Sequence, residues 1–429
     1  MTTMEQTVAT SPLVTDISAR FHEPEWLLQQ RLEAWQTYTE AKVPRLEKTD
    51  LSRRSWDIDP LKGEVQSSSG LSESVLSQLQ QQPRVHIQDG QVVSTFLPDT
   101  LVQAGVLLCD LQRAVVEHGD LVQRYLGSVV TAKESKWTAL NAAVWINGVF
   151  LYIPDGVQVE PTIHYIYEFT DGAAGGAPHS LVVAGEGSRG SIVEVLVAGD
   201  SLQTDKIHTD VLEVVAHPEA HLTVSCLTQY RKGPTYFTVR RARVYKNATV
   251  DWVFGDVGDG FTVGLLESVL QGDGSKSTLH GFGLGFGRQH FDLTASMLHQ
   301  GRHSESDMVL QGVLRGRAYS VYRTSTHIFK GAIGAGSEQT DRMVMLDPHA
   351  RADAIPMLLI DENDVQRCGH AASVGQLDEE QVYYLESRGI SRREAMRMIV
   401  WGHVAPMVLA IPSALVQELA NELIDRELA

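Results

Sequence analysis

Between residues 189 and 310 one short pattern recurs about every 29 residues, and this periodicity constrains the fold more than any other feature of the sequence. The segments "RGSIVEV", "EAHLTVS", "NATVDWV", "SKSTLHG" and "SESDMVL" each join a small residue to alternating apolar positions. With Gly190, Ala220, Ala248, Ser277 and Ser306 as markers, the steps are 30, 28, 29 and 29 residues. A second strand-like set lies between them: "TDVLEVV", "YFTVRRARV", "FTVGLLESV" and "HFDLTASML". Two strands per repeat with no helical period describe a solenoid of β-strands, in which each turn buries its inward side chains on the next. Small residues suit its tight corners. An antiparallel β-sandwich also yields short, regularly spaced strands, but the small drift in the steps favours the solenoid.

The flanks read differently. About the first 20 residues are polar and patternless, as a mobile tail is. A helix follows at "EPEWLLQQRLEAWQTYTEAK", where Pro24 suits a helix start and Leu28, Leu32, Trp35 and Tyr38 share one face. Pro44 forbids its continuation. Residues 60–85 are rich in Ser and Gln and read as a linker. Beyond residue 375 helical period returns. Asp378 with Gln381 and Ser391 with Glu394 offer capping boxes, and Gly389 stands where a helix terminates. Pro412 opens a last helix with Leu415, Leu419 and Leu423 on one stripe, expected to be intramolecular core or a docking face. The expected divisions are 1–95 (tail and helical region), 96–367 (β-helix core) and 368–429 (C-terminal helical domain).

The chain has 429 residues and carries 53 acidic against 36 basic residues, a net charge of −17 that disfavours nucleic acid and anionic membrane as partners. No apolar run is long enough to span a bilayer. The start lacks a basic segment followed by an apolar core, so no secretory signal is expected. Three widely spaced cysteines, Cys109, Cys226 and Cys368, argue against a disulfide scaffold and for a reducing compartment such as the cytoplasm.

Several motifs can be weighed chemically. The glycine-rich "LQGDGSKSTLHGFGLGFG" (270–287) invites a phosphate-loop reading, but Ser275 separates Gly274 from Lys276 and strands follow instead of a helix. It reads as turns between rungs, and no nucleotide is expected on this chain. The histidines at 280, 290, 299, 303, 327, 349 and 370 form no HExxH or paired CxxC spacing. Asp251, Asp256, Asp259 and Glu267 are candidates for a carbohydrate-active groove, the alternative enzymatic reading, although no specific carboxylate pair is evident. There remain Cys368 and His370 in "DENDVQRCGH" (361–370). Residues two apart on an extended segment face the same way, so thiolate and imidazole can address one ion. Sulfur plus imidazole suits iron–sulfur species, copper or zinc. Two ligands fall short of the roughly four that a structural site needs. Alternatively, this is a buried Cys beside an incidental His.

The segment "CGHAASVGQLDEEQVYYLESRGISRREAMRMIVWGHV" (368–404) resembles the C-terminal signature of the SufB/SufD family of iron–sulfur cluster assembly proteins. The portion Gly375 to Ile390 is its most specific stretch. "EPEWLLQQRLEAW" is similar to the family's N-terminal helix, and "KWTALNAAVWINGVFLYIPDGV" (136–157) to the entry into its central domain. Length and the Cys-x-His string are closer to the SufD branch. Gly369-His370-Ala371 departs from the usual Ser-His-Gly, and Leu359 stands where an acidic residue is common. The resemblance implies a mainly β protein, a right-handed parallel β-helix core flanked by N- and C-terminal α-helical regions. It further implies a scaffold, not an enzyme, paired with SufB through the β-helix core, with the ATPase SufC docking on the C-terminal helices. A transient Fe–S cluster shared with SufB is then expected at the SufB–SufD interface, with His370 and Cys368 as the family's metal-site positions. A purely structural adaptor is the remaining alternative.

Overall fold

A computed structural model describes residues 11–58, 60–62, 71–170, 175–198, 206–230 and 233–428. It is mainly β: a parallel β-solenoid of about seven turns with helices at both ends of the chain. Alternate strands belong to two facing sheets. One sheet runs Ile163–Phe169, Arg189–Ala198, His221–Gln229, Thr249–Gly258, Lys276–Gly285, Glu305–Leu314, Gly336–Met345 and Arg367–Gln376. Arg84–Gln88 joins it in parallel at the start, and Gln91–Phe96 folds back antiparallel as its outer edge. The other runs Val149–Ile153, His179–Ala184, Ile207–Ala216, Thr235–Val244, Phe261–Leu270, His290–His299 and Tyr319–Ile328. Its last full strand pairs with two short ones, Arg351–Ala354 and Met357–Ile360. Leu107–Asp110 closes its other edge antiparallel.

Because side chains alternate along a strand, every second residue points between the sheets. Leu222, Val224 and Cys226 stack on Val250, Trp252 and Phe254, all 4 % exposed or less. The corners explain the repeat. Gly187, Glu219, Asn247, Gly274, His303 and Gly334 each adopt the left-handed region, with φ between +52° and +73°. A small buried residue follows each: Ser188, Ala220, Ala248, Ser275, Ser304 and Ala335. These corner amides donate to the next turn's backbone, as Asn247 N–H does to Asp273 C=O at 2.9 Å and Gly274 N–H to Arg302 C=O at 2.8 Å. Register therefore steps from Arg189 to His221, Thr249, Lys276, Glu305, Gly336 and Arg367. Ala220 and Ala248 are true equivalents, as are Ser277 and Ser306. Gly190 and Ser277 lie two residues past the position of Ala220 and Ala248, an even offset that keeps them on the same face.

The glycine-rich stretch is mostly strand, not turn. Gly281, Gly283 and Gly285 point inward, and a Cβ at Gly283 would collide with the Tyr322 hydroxyl. Glycine here makes room for a ring from the opposite sheet.

Three expectations for the flanks need revision. Residues 1–10 of the expected tail lie outside the described residues, but Pro12–Phe21 is a helix with Val14 and Ile17 fully buried. Of the expected linker, residues 63–70 likewise lie outside, while Glu73–Leu79 is a helix capped by the Ser72 hydroxyl. Val75 and Leu79 bury against the C-terminal helices, which is why a Ser- and Gln-rich segment is ordered there. The helices Arg392–Leu409 and Ala414–Leu428 lie on the outer face of the first sheet. Leu415, Leu419 and Leu423 pack with Val195, Leu227, Val253 and Phe282, so the stripe is intramolecular core. Arg367–Gln376 continues the sheet beyond residue 367, so Cys368 and His370 lie on its last strand, not in the helical region.

Candidate functional site at the open end of the solenoid

The final turn has a neighbour on one side only. Arg367–Gln376 pairs with Gly336–Met345 and presents its other edge unpaired among the described residues, while Met357, Leu359, Ile360 and Val374 are 37–49 % exposed. An unpaired edge fringed with apolar side chains is a template for another chain.

Cys368 and His370 both point along the inward direction, opposite Ser337 and Gln339. They terminate a polar column through the interior. Inside the solenoid the His299 ring bonds Ser304 and Ser306 at 2.9 and 2.8 Å. Ser306 donates to Ser337 at 2.9 Å, and Ser337 meets Thr326 at 2.8 Å. Gln339 donates to Thr326 at 2.6 Å. Cys368 is half-buried against Ile328, Ala332 and Ala335. Burial, reinforced by the Glu338 charge, pushes its thiol above the ordinary range, so it is a protonated thiol that must release a proton to bind metal. His370 is exposed.

A third group was not evident from sequence. Asp341, 1 % exposed, sits one inward position past Gln339 and accepts from the Thr324 hydroxyl at 2.7 Å. Burial pushes its carboxyl up to about 6, against the opposing pull of the Thr324 hydrogen bond and the nearby His370. "QTDRMV" resembles no motif; only the inward parity of the preceding strand marks it. The loop leading to Cys368 is held by Glu362, which accepts from the amides of Gly331, Asn363 and Asp364 at 2.9, 2.8 and 3.2 Å. Those bonds lower its carboxyl to about 2. Gly369 lets the Glu338 carboxylate lie across the strand, since a Cβ there would come within 2.7 Å of its oxygen. Among the described residues, no three His, Cys, Asp or Glu side chains converge on one metal position. The chain brings Cys368, His370 and Asp341 to one end but leaves the set open.

The other candidates are dispersed. Asp251 faces out, bonded to His221 at 3.0 Å and Thr278 at 2.7 Å. Asp256 faces in, and Glu267 pairs with Arg241 at 2.6 Å on the other sheet. No groove among the described residues unites them. The three cysteines are free thiols, with Cys109 and Cys226 buried. No helix among the described residues is long and apolar enough to cross a membrane.

Comparison with known proteins agrees with this architecture. The family described as SUF system FeS cluster assembly, SufBD core domain, matches residues 167–403, and the SufBD protein N-terminal region matches 73–165. The iron–sulfur cluster assembly protein SufD of Bacillus subtilis is 32% identical over 423 residues, covering 96% of each chain. SufBD family proteins of Staphylococcus saprophyticus and Staphylococcus epidermidis are 27% and 28% identical, covering 98% of this chain and 93% of theirs. The chain belongs to the SufB/SufD family of iron–sulfur cluster assembly proteins and is a homologue of SufD.

Proposed function

We propose that this chain is a non-catalytic scaffold subunit that pairs with SufB through the open end of its β-helix and carries the ATPase SufC on its C-terminal helices. A nascent iron–sulfur cluster, the cargo of the assembly, forms at the SufB junction. The observation that carries this reading is the unfinished end itself: two sheet edges unpaired among the described residues, four exposed apolar side chains, and Cys368, His370 and Asp341 spaced along the inward side of the last turns without forming a coordination set. A second subunit stacked there completes both the sheets and the ligands. His370 offers an exposed imidazole as ligand or proton acceptor, Cys368 a thiol that loses its proton on binding iron, and Asp341 a carboxyl near 6 able to take up such a proton. On the helical region, Tyr383 and Tyr384 (72 % and 57 % exposed) and Met398 give SufC an apolar foothold. The free thiols suit a reducing, cytoplasmic setting.

Replacing His370 by Ala in the complex co-expressed with SufB and SufC tests the assignment. Subunit stoichiometry should be kept and iron and acid-labile sulfide should fall severalfold. Unchanged iron and sulfide with the complex intact would remove His370 from the site and leave a structural adaptor.

A further inference from the structure

On the outer face of the second sheet, the segment 45–54 forms one wall of a cleft of about 750 Å³ whose charge runs against that of the protein. Lys48, Arg53, Arg54 and Arg288 line it, against Asp50 and Asp259. Asp50 accepts from the amide and hydroxyl of Ser52, at 2.9 and 2.6 Å, which keeps it ionised beside Arg53 and Arg54. Lys48 reaches Asp353 at 3.1 Å. Arg53, Arg54 and Arg288 have no carboxylate within ion-pair distance among the described residues, whereas Arg113, Arg392 and Arg397 elsewhere on the surface each sit on one. Among the described residues four cations line this concavity against two carboxylates, a local excess of positive charge on a chain of net charge −17.

The wall is also rigid. Thr49 is buried and bonds both Asp292 and the His290 ring. Arg323 holds the Glu47 carbonyl, and Leu51 is 2 % exposed. The Arg54 guanidinium lies 3.6 Å from the centre of the Phe261 ring, which stacks on His290 at 4.7 Å, with Tyr319 edge-on beyond at 5.2 Å. A guanidinium fixed on an aromatic face loses little freedom when it grips a ligand. The remote negative charge is screened beyond about 8–10 Å, so an anion in the cleft meets the arginines first.

We propose that this cleft binds a small ligand through a multivalent phosphate group, which the planar donor fork of arginine matches in pairs. The probe is inorganic pyrophosphate, titrated calorimetrically into the full-length protein at 50 and 200 mM salt, with citrate as the carboxylate comparison. Expected are saturable one-site binding that weakens with salt, a loss of at least tenfold in Arg53→Gln and in Arg288→Gln, and no change in Arg113→Gln. Arg53 and Arg288 are exposed, so these variants should keep the wild-type melting midpoint. Absence of saturable binding overturns the proposal, as does equal loss in Arg113→Gln. Tighter binding of citrate, or binding of an acidic peptide but not of pyrophosphate, overturns the phosphate assignment.

Discussion

Asp256 should make the stability of the solenoid fall as pH rises through the range in which most carboxylates are already ionised. It is 1 % exposed, and burial pushes its carboxyl from 3.8 to about 7, against the pull of hydrogen bonds from Thr228 and Gln289 and the Arg240 charge. The local bonding agrees. Thr228 Oγ1 lies 3.0 Å from Asp256 Oδ2 and 3.2 Å from the Gly255 carbonyl oxygen. One hydroxyl proton cannot serve both acceptors, but a protonated Asp256 donates to Thr228 while Thr228 donates to Gly255. Between pH 4 and 7 the folded protein then holds a proton that the unfolded chain has released, so stability declines with pH and levels off above about 7. At about 1.4 kcal/mol per pKa unit, three units set a ceiling of about 4 kcal/mol, and relaxation around the charge brings the expected span to about 2–4 kcal/mol. Asp256→Asn isolates this contribution. Its amide nitrogen can donate to Thr228 and its oxygen can accept from Gln289 Nε2, which lies 2.8 Å from the carboxylate in the wild type. Urea midpoints for both proteins at several pH values between 4.5 and 8.5 should coincide at the acid end and separate in favour of the Asn variant as pH rises. All other titrating groups are common to the two proteins and cancel. A difference independent of pH, or one that favours wild type at high pH, would refute the reasoning and make Asp256 an ordinary paired carboxylate.

Arg240→Met should destabilise by about 3–5 kcal/mol in thermal or urea unfolding, because it leaves Glu194 and Asp210, each paired at 2.9 Å and buried, without their counter-charge; adding Glu194→Gln should recover part of the loss. Gly283→Ala should cost about 1–3 kcal/mol through collision with the Tyr322 hydroxyl, and Tyr322→Phe should relieve part of it. Leu359→Glu, at 49 % exposure, should leave the isolated chain's stability within about 0.5 kcal/mol yet abolish co-purification with SufB. Retained co-purification would move the junction away from this end.

How far the sequence could be read follows from what each feature depends on. The solenoid was legible because strand parity and corner size act locally: Ala220 and Ala248 mark true corners, and even the displaced Gly190 and Ser277 lie on the inward face. The pairing of Cys368 and His370 on one face was legible for the same reason. Asp341 was not, because its role comes from Thr324 on the facing sheet, which no spacing along the chain reveals. Nor was the helix Pro12–Phe21: Thr15, Asp16 and Ser18 are poor helix formers, and what orders it is the burial of Val14 and Ile17 against distant residues. The three arginines of the cleft lie at 53, 54 and 288, so the cleft exists only once the segment 45–54 is laid on the sheet.

The one-sided neighbourhood of the last turn has a thermodynamic consequence. In a stack of turns, each gains from the interfaces above and below, and Arg367–Gln376 has only one such interface. Among the stacked turns its backbone should therefore open more readily than its neighbours', and amide exchange should slow progressively from it toward Thr249–Gly258. Cys368 and His370 thus ride on an edge strand of the solenoid, protected from one side only. A subunit that adds strands to this end would tighten it, and the drop in exchange at residues 367–376 would report docking and ordering of the Cys368 and His370 side chains as one event.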